Sequence, residues 1–179
     1  MFKKFNIQKY LDKKPPSDNS FTTMQEIKDL NKIPINVKFV KDKDDINASF
    51  KKLIDDKKLD IPKNMINNLI KDSAPIIMKI KKHHNRPRPK VLAKKMNIKF
   101  DDKELDSMKT PSYPSGHSTQ GILIGKVLQT KLPITTDGFL EAGKRISYSR
   151  NIGRAHYPSD SELGEIIGNS LYQHIKHKI

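Results

Sequence analysis

Apolar residues in this chain recur every three or four positions through most of its length, which is the spacing of a helix with one buried face. Met24, Ile27, Leu30 and Ile33 form one such set, and Ile46, Phe50, Leu53 and Ile54 another. Met65, Leu69, Ile76, Ile77 and Ile80 imply a long helix reaching the Lys81 region, kinked or split at Pro75. Three more sets follow: Ile122 to Leu128, Phe139 to Tyr148, and Leu163, Ile166, Ile167, Leu171 and Ile175. Only Ile35-Asn36-Val37-Lys38-Phe39 has the alternation of a short strand. The pattern predicts an all-α protein, a compact single-domain helical bundle.

Helix boundaries are marked by capping and proline residues. Thr22 or Thr23 suits an N-cap, with Gln25 or Glu26 three residues on. Asp44-Asp45 places acids at a helix start, Pro62 suits a first turn, and Thr135-Thr136-Asp137 opens the next-to-last helix. Ser115 caps one helix, and Pro158-Ser159-Asp160 starts the last. Residues 1–20, with Lys13-Lys14-Pro15-Pro16, read as a flexible basic N-terminal arm ahead of a helical domain spanning 21–179.

Composition narrows the chemistry. Cysteine is absent, which excludes disulfides, thiolate metal sites and a cysteine nucleophile. No apolar run approaches the ~18 residues of a membrane span, and no signal-peptide pattern opens the chain, so a soluble cytoplasmic protein is expected. The net charge of +15 favours an anionic partner. Nucleic acid is disfavoured among these, since no zinc-finger or RNP pattern and no tract of five consecutive basic residues occurs.

Three stretches carry the residues of an anion site. In the first, Lys81 and Arg88-Pro89 put an ammonium at a helix end and a guanidinium on the rigid segment after it. Lys79 with Arg86-Pro87 has the same spacing, so the register is open at this level. In the second, Pro114-Ser115-Gly116-His117 aims helix N-terminal N–H groups at whatever binds there, and Gly116 permits close approach. In the third, Arg150 precedes His156 and Asp160, a spacing that lets the carboxylate orient the imidazole. Singly, each is compatible with a solvated basic turn or a capped helix; together they make a set suited to phosphoryl transfer.

Lys-x6-Arg-Pro, Pro-Ser-Gly-His and Ser-Arg-x5-His-x3-Asp, in that order, resemble the signature of the type 2 phosphatidic acid phosphatase superfamily. That group includes the bacterial class A acid phosphatases and the vanadium haloperoxidases. Lys81-Lys82-His83-His84-Asn85-Arg86-Pro87-Arg88-Pro89 is similar to the acid-phosphatase form, which sets the register on Lys81 and Arg88. The resemblance implies a metal-independent phosphomonoesterase acting on a small phosphorylated substrate. His156 would be the nucleophile forming a phosphohistidine, Asp160 its orienting acid, and His117 the general acid and base. Lys81, Arg88, Ser115, Gly116 and Arg150 would hold the phosphate. No cofactor or metal is implied, although vanadate or phosphate would fit the site. His83-His84 makes no metal pair, because adjacent side chains diverge on a helix.

One position departs from the pattern. Many members carry glycine where this chain has Arg154, so either the loop turns differently or Arg154 adds a cation at the substrate rim. The remaining rim is expected from Val91 to Thr110 and the N-terminal arm. Competing readings are a vanadate-dependent haloperoxidase and a basic nucleic-acid-binding protein with a vestigial site. The physiological substrate and the oligomeric state are not encoded in any motif.

Overall fold

A computed structural model describes residues 1–102, 105–132 and 138–179. Nine α-helices occur among them: α1 (Gln8–Leu11), α2 (Phe21–Lys32), α3 (Val37–Asp44), α4 (Ile46–Asp56), α5 (Met65–His84), α6 (Pro89–Lys95), α7 (Gly116–Lys131), α8 (Phe139–Ile152) and α9 (Pro158–Ile175). No strand is present among the described residues. The all-α reading therefore holds.

The centre of the bundle is α7, packed along α8 on one side and α9 on the other. Its buried set, including Ile122, Leu123, Ile124, Val127 and Leu128, covers most of its circumference, as a helix surrounded by neighbours requires. Close crossings make this possible. A Cβ on Gly121 would stand 2.8 Å from the Gly143 carbonyl oxygen of α8, and one on Gly164 of α9 would stand 2.6 Å from the Ser115 carbonyl oxygen. Hydrogen in place of a methyl group lets the three backbones touch, and the two crossings bring the α7 N-terminus against the start of α9.

Several local expectations are corrected. Ile35 to Phe39 is no strand: Asn36 N-caps α3 by accepting from Phe39 N at 2.9 Å, and α3 buries Val40. A polar residue with a capping side chain outweighs a brief alternation of five residues. Ser20, and neither threonine, caps α2, with its hydroxyl 3.1 Å from Thr23 N. Asp45 caps α4, whereas Asp44 is the last residue of α3 and serves the site below. Pro62 lies ahead of α5, and Pro75 sits inside that helix without ending it. Thr135 to Asp137 lie outside the described residues.

The lysine- and proline-rich start of the chain is packed against the bundle. Phe2 and Tyr10 are buried in the main core, and His84 on α5 donates from Nε2 to the Tyr10 carbonyl at 2.8 Å. That bond turns the His84 ring so that it meets His83 edge-on at 4.9 Å, so the two side chains do not diverge. A smaller core of Ile27, Leu92, Ala93 and Tyr157 fastens α2 and α6 to the α9 start.

Candidate active site

The site forms where three backbone segments are tied to one another. Asn85, in the left-handed conformation with φ of 47°, ends α5 and reverses the chain, so that Lys81 and Arg88 face the same space. Ser112 N donates to the Arg86 carbonyl at 2.8 Å, and Ser115 N donates to the Asp160 carbonyl at 2.9 Å. Asn151 Nδ2 donates to the His156 carbonyl at 3.0 Å, bracing the loop between α8 and α9. Each of the three sequence stretches is thereby locked to another.

A small cavity of about 160 Å³ opens there, lined among others by Lys81, Arg88, Gly116, His117 and His156. Thr110, at the end of the expected Val91 to Thr110 rim, and Gln120, which no motif marks, share the wall. Ser115 sits behind Gly116, fully buried, with its hydroxyl capping α7 by accepting from Ser118 N at 3.2 Å. Arg150 is fully buried as well, and its Nη1 donates to Asp44 Oδ1 at 2.7 Å. Lys79, the alternative register, is exposed on α5.

His156 is held from both sides. Nδ1 donates to Asp160 Oδ2 at 3.1 Å, which fixes the tautomer and leaves the lone pair on Nε2. Arg88 Nη1 donates to that Nε2 at 3.0 Å and to the Ala155 carbonyl at 2.7 Å, while its Nε donates to the Thr110 carbonyl at 2.9 Å. Burial, then Arg88, Lys81 and Arg150, hold the imidazole well below its ordinary value, so it is neutral, and its Nε2 electron pair accepts from Arg88.

Asp160 is the most heavily bonded carboxylate of the site. It accepts from His156 Nδ1, from Ser112 Oγ in a short contact, from Tyr157 N at 3.1 Å and from Arg86 Nη1 at 2.7 Å. Burial pushes its carboxyl up, against the pull of Arg86, Ser112 and Lys81. The other arm of Arg86 pairs with Glu26 Oε2 at 2.9 Å, and Glu26 Oε1 accepts from Ser159 N at 2.7 Å. The guanidinium also lies 3.7 Å from the centre of the Tyr157 ring. Arg86 thus buttresses the orienting acid, while Arg88, two residues on, reaches the cavity.

The cations are crowded. Burial, then Arg88, lowers Lys81 to about 7; its Nζ donates to the Pro111 carbonyl at 2.5 Å. Burial lowers Arg88 to about 10, and Arg150 is lowered by burial against the pull of Asp44. A dianion placed among these groups relieves both their desolvation and their mutual repulsion. His117 Nε2 donates to the Asp44 carbonyl at 2.9 Å, with the Asp44 carboxylate at 3.6 Å. Burial and Arg150 lower His117 to about 4, so with the cavity free of anions it is neutral near pH 7.

Arg154 does not line the cavity. Its φ of 56° is left-handed, a conformation that glycine adopts without steric cost, so the loop accommodates an L-residue where the resemblance implies glycine. Its buried guanidinium donates to the carbonyls of Asp101 at 2.7 Å, Asn31 at 3.1 Å and Ile33 at 3.3 Å, and lies over Phe100. The rim role expected for Arg154 is replaced by that of a strut between α2 and the 98–101 segment.

The family model of the PAP2 superfamily matches residues 65–177, well over half of the chain. The chain belongs to the PAP2 superfamily. The match covers every cavity-lining residue named above and ends within the last turn of the bundle. Among curated proteins, the chain is 35% identical over 88 residues to a non-specific acid phosphatase of Salmonella typhimurium (strain LT2), covering 49% of this chain and 35% of that one. It is 33% identical over 106 residues to a non-specific acid phosphatase of Salmonella typhi, covering 59% and 42%. To an acid phosphatase of Zymomonas mobilis it is 30% identical over 106 residues, covering 59% and 40%. The chain therefore spans less than half the length of these relatives. Among the described residues of this PAP2 member no helix is long and apolar enough to cross a membrane, and no group of three or more His, Cys, Asp or Glu side chains is placed to hold a metal ion.

The sequence reading did not include Asp44, Arg86, Glu26 or Ser112 as site residues. Arg86 was visible as the alternative register, and Glu26 as an acid three residues into a helix. Asp44 carries no local signal, because only the crossing of α3 and α8 brings it to Arg150.

Proposed function

We propose that the protein is a metal-independent phosphomonoesterase working by double displacement through His156. The observation that carries it is the His156 imidazole, bound at Nδ1 by Asp160, with its Nε2 on a cavity lined by Lys81 and Arg88. An incoming phosphate would draw the Arg88 guanidinium off that nitrogen and leave its lone pair to attack. In the first step the Nε2 lone pair attacks phosphorus and the bond to the leaving oxygen breaks, that oxygen taking a proton from His117. In the second, a water oxygen attacks phosphorus, its proton passes to His117, and the phosphorus–nitrogen bond breaks to release inorganic phosphate.

Lys81, Arg88 and Arg150, the Gly116 N–H and the Ser115 hydroxyl take up the charge that develops on the equatorial oxygens, the work a metal ion does elsewhere. His117 must be protonated for the first step. The negative charge of the bound phosphate and the Asp44 carbonyl and carboxylate raise its affinity for a proton, opposing burial and Arg150. The names of the acid phosphatase relatives support a phosphomonoester as substrate. The leaving group would occupy an adjoining cavity of about 560 Å³ that shares Arg88 with the first and has Val91, Leu105 and Met108 on its wall.

His156→Asn tests the reading. It removes the nucleophile while retaining a polar side chain of similar bulk, so p-nitrophenyl phosphate turnover should vanish and the melting transition persist. Retained turnover, or no 32P-labelled protein after acid-sensitive, alkali-stable trapping of the wild type, refutes the phosphohistidine route.

A further inference from the structure

The wall of the cavity carries an acceptor that a phosphate dianion cannot use. Gln120 lies on α7 one turn after His117, so the two side chains share a face of that helix, and both line the cavity. Its Nε2 donates to the Ile70 carbonyl at 3.2 Å and to Ser73 Oγ at 3.3 Å, both on α5. A carbonyl oxygen only accepts, so the Ile70 contact decides which end of the amide is nitrogen. The buried Ser73 hydroxyl gives its own proton to the same carbonyl at 3.1 Å and meets Gln120 as an acceptor too. With the nitrogen tied to α5, Oε1 is the polar atom that Gln120 has left for the cavity, and it accepts no hydrogen bond among the described residues.

Lys81, Arg88 and the Gly116 N–H are donors, suited to phosphate oxygens. An amide oxygen repels such an anion and needs a partner that brings protons. The neighbouring His117 is an acceptor as well: its Nε2 donates to the Asp44 carbonyl, so the lone pair of the neutral ring sits on Nδ1. The α5 side of the wall, with Ala74, Ile77 and Met78, has no competing side-chain acceptor. Two acceptors side by side on one helix face match the two protons of water. We propose that Gln120 is a further catalytic residue, whose Oε1 accepts one proton of the water that hydrolyses the phosphohistidine while His117 accepts the other. The inference rests on the phosphohistidine reading and assigns Gln120 to its second step.

In that step the water oxygen attacks phosphorus as the phosphorus–nitrogen bond breaks, and the electron pair of that bond returns to His156 Nε2. One water proton passes to His117 Nδ1. The other stays on the oxygen, in its bond to Gln120, and leaves as the hydroxyl of inorganic phosphate. Fixing both O–H directions turns a lone pair of the water toward phosphorus. The first step has no such requirement, because the leaving oxygen takes one proton from His117 and carries a carbon where water has its second hydrogen. An alcohol that attacks in place of water likewise has a single proton to place.

Gln120→Leu keeps the bulk and removes the acceptor. Rapid-quench labelling of the full chain with p-nitrophenyl [32P]phosphate, followed by a chase with unlabelled substrate, reads the two steps separately. Label should enter wild type and variant at the same rate and leave the variant about tenfold more slowly, the rate equivalent of one hydrogen bond to a reacting group. With methanol as competing acceptor, the ratio of methyl phosphate to inorganic phosphate should rise about tenfold in the variant. Both readouts refer to labelled molecules only, so a misfolded fraction alters neither, and Gln120→Met, unbranched like the native side chain, should repeat them. Equal slowing of labelling and decay, decay as fast as in the wild type, or an unchanged methanol-to-water ratio overturns the inference. Failure of the wild type itself to take up label would refute the phosphohistidine reading and this inference with it. A labelled wild type whose variants decay equally fast refutes the role of Gln120 alone.

Discussion

Arg86 Nη1 stands 2.7 Å from Asp160 Oδ1 inside the protein, with neither side chain exposed to solvent. The same guanidinium holds Glu26 of α2 through Nη2 at 2.9 Å, so the acid that orients His156 is fixed by a helix more than a hundred residues earlier in the chain. Removing one partner of a buried pair leaves the other charge without compensation. Arg86→Leu should therefore destabilise the fold by about 3–5 kcal/mol in urea titration. Arg86→Lys keeps the charge and loses the fork that reaches both acids; it should stay folded and lose kcat on the order of a hundredfold through misplacement of Asp160 and His156. An unchanged kcat in Arg86→Lys would show that Asp160 needs no buttress.

Lys81 should make substrate affinity depend on pH. Burial and Arg88 lower it from 10.5 to about 7 in the free enzyme, so above that pH the free site holds a neutral amine, and phosphate must recruit a proton to bind. KM for a phosphomonoester should climb by up to about tenfold per unit above neutrality. Lys81→Arg retains a charged group at every accessible pH and should flatten this rise. Parallel profiles for wild type and variant would assign the dependence elsewhere.

The two histidines should make the free protein sensitive to acid. His117 is lowered from 6.5 to about 4, and His156 is lowered well below 6.5. Between these values and 6.5 the unfolded chain binds protons that the folded one excludes, so stability rises with pH across the interval and is lost on acidification through it. Asp160, raised by burial, works in the opposite sense at the acid end, one group against two. The urea midpoint should fall from pH 6.5 to 4.5 in the wild type and fall less in His117→Gln. Phosphate should oppose the loss, since binding it favours the protonated histidines.

Arg154 should matter to stability and not to substrate choice. Its guanidinium satisfies three backbone carbonyls, from Asp101, Asn31 and Ile33. Arg154→Ala keeps the left-handed strain and loses these bonds, for a cost of about 1–3 kcal/mol. Ratios of kcat/KM across phosphomonoesters of differing charge should be unaltered. A selective loss for polyanionic substrates would restore Arg154 to the rim.

How much of this was legible beforehand varies residue by residue. The helices α4, α7 and α9 follow from apolar spacing and from Asp45, Ser115 and Pro158, because a cap and a buried stripe are both local signals. Gly116, His117 and His156 could be named from motifs at helix ends, whereas Lys81 and Arg88, which spacing left level with Lys79 and Arg86, were set by the resemblance to the acid-phosphatase form. Helix α3 was misread, since five residues are too few to separate periods of two and 3.6.

What the sequence determined by itself is the all-α class and the set of groups that meet around a phosphate-sized cavity. Periodicity, caps and motif spacing act over a turn or two of chain. Only the tertiary structure decided that Arg86 serves Asp160, that Asp44 clamps Arg150 and His117, and that Arg154 turns inward. Each of these depends on which helix lies beside which, at approaches set by Gly121, Gly143 and Gly164, and a partner brought from across the bundle leaves no trace in the spacing of its own segment.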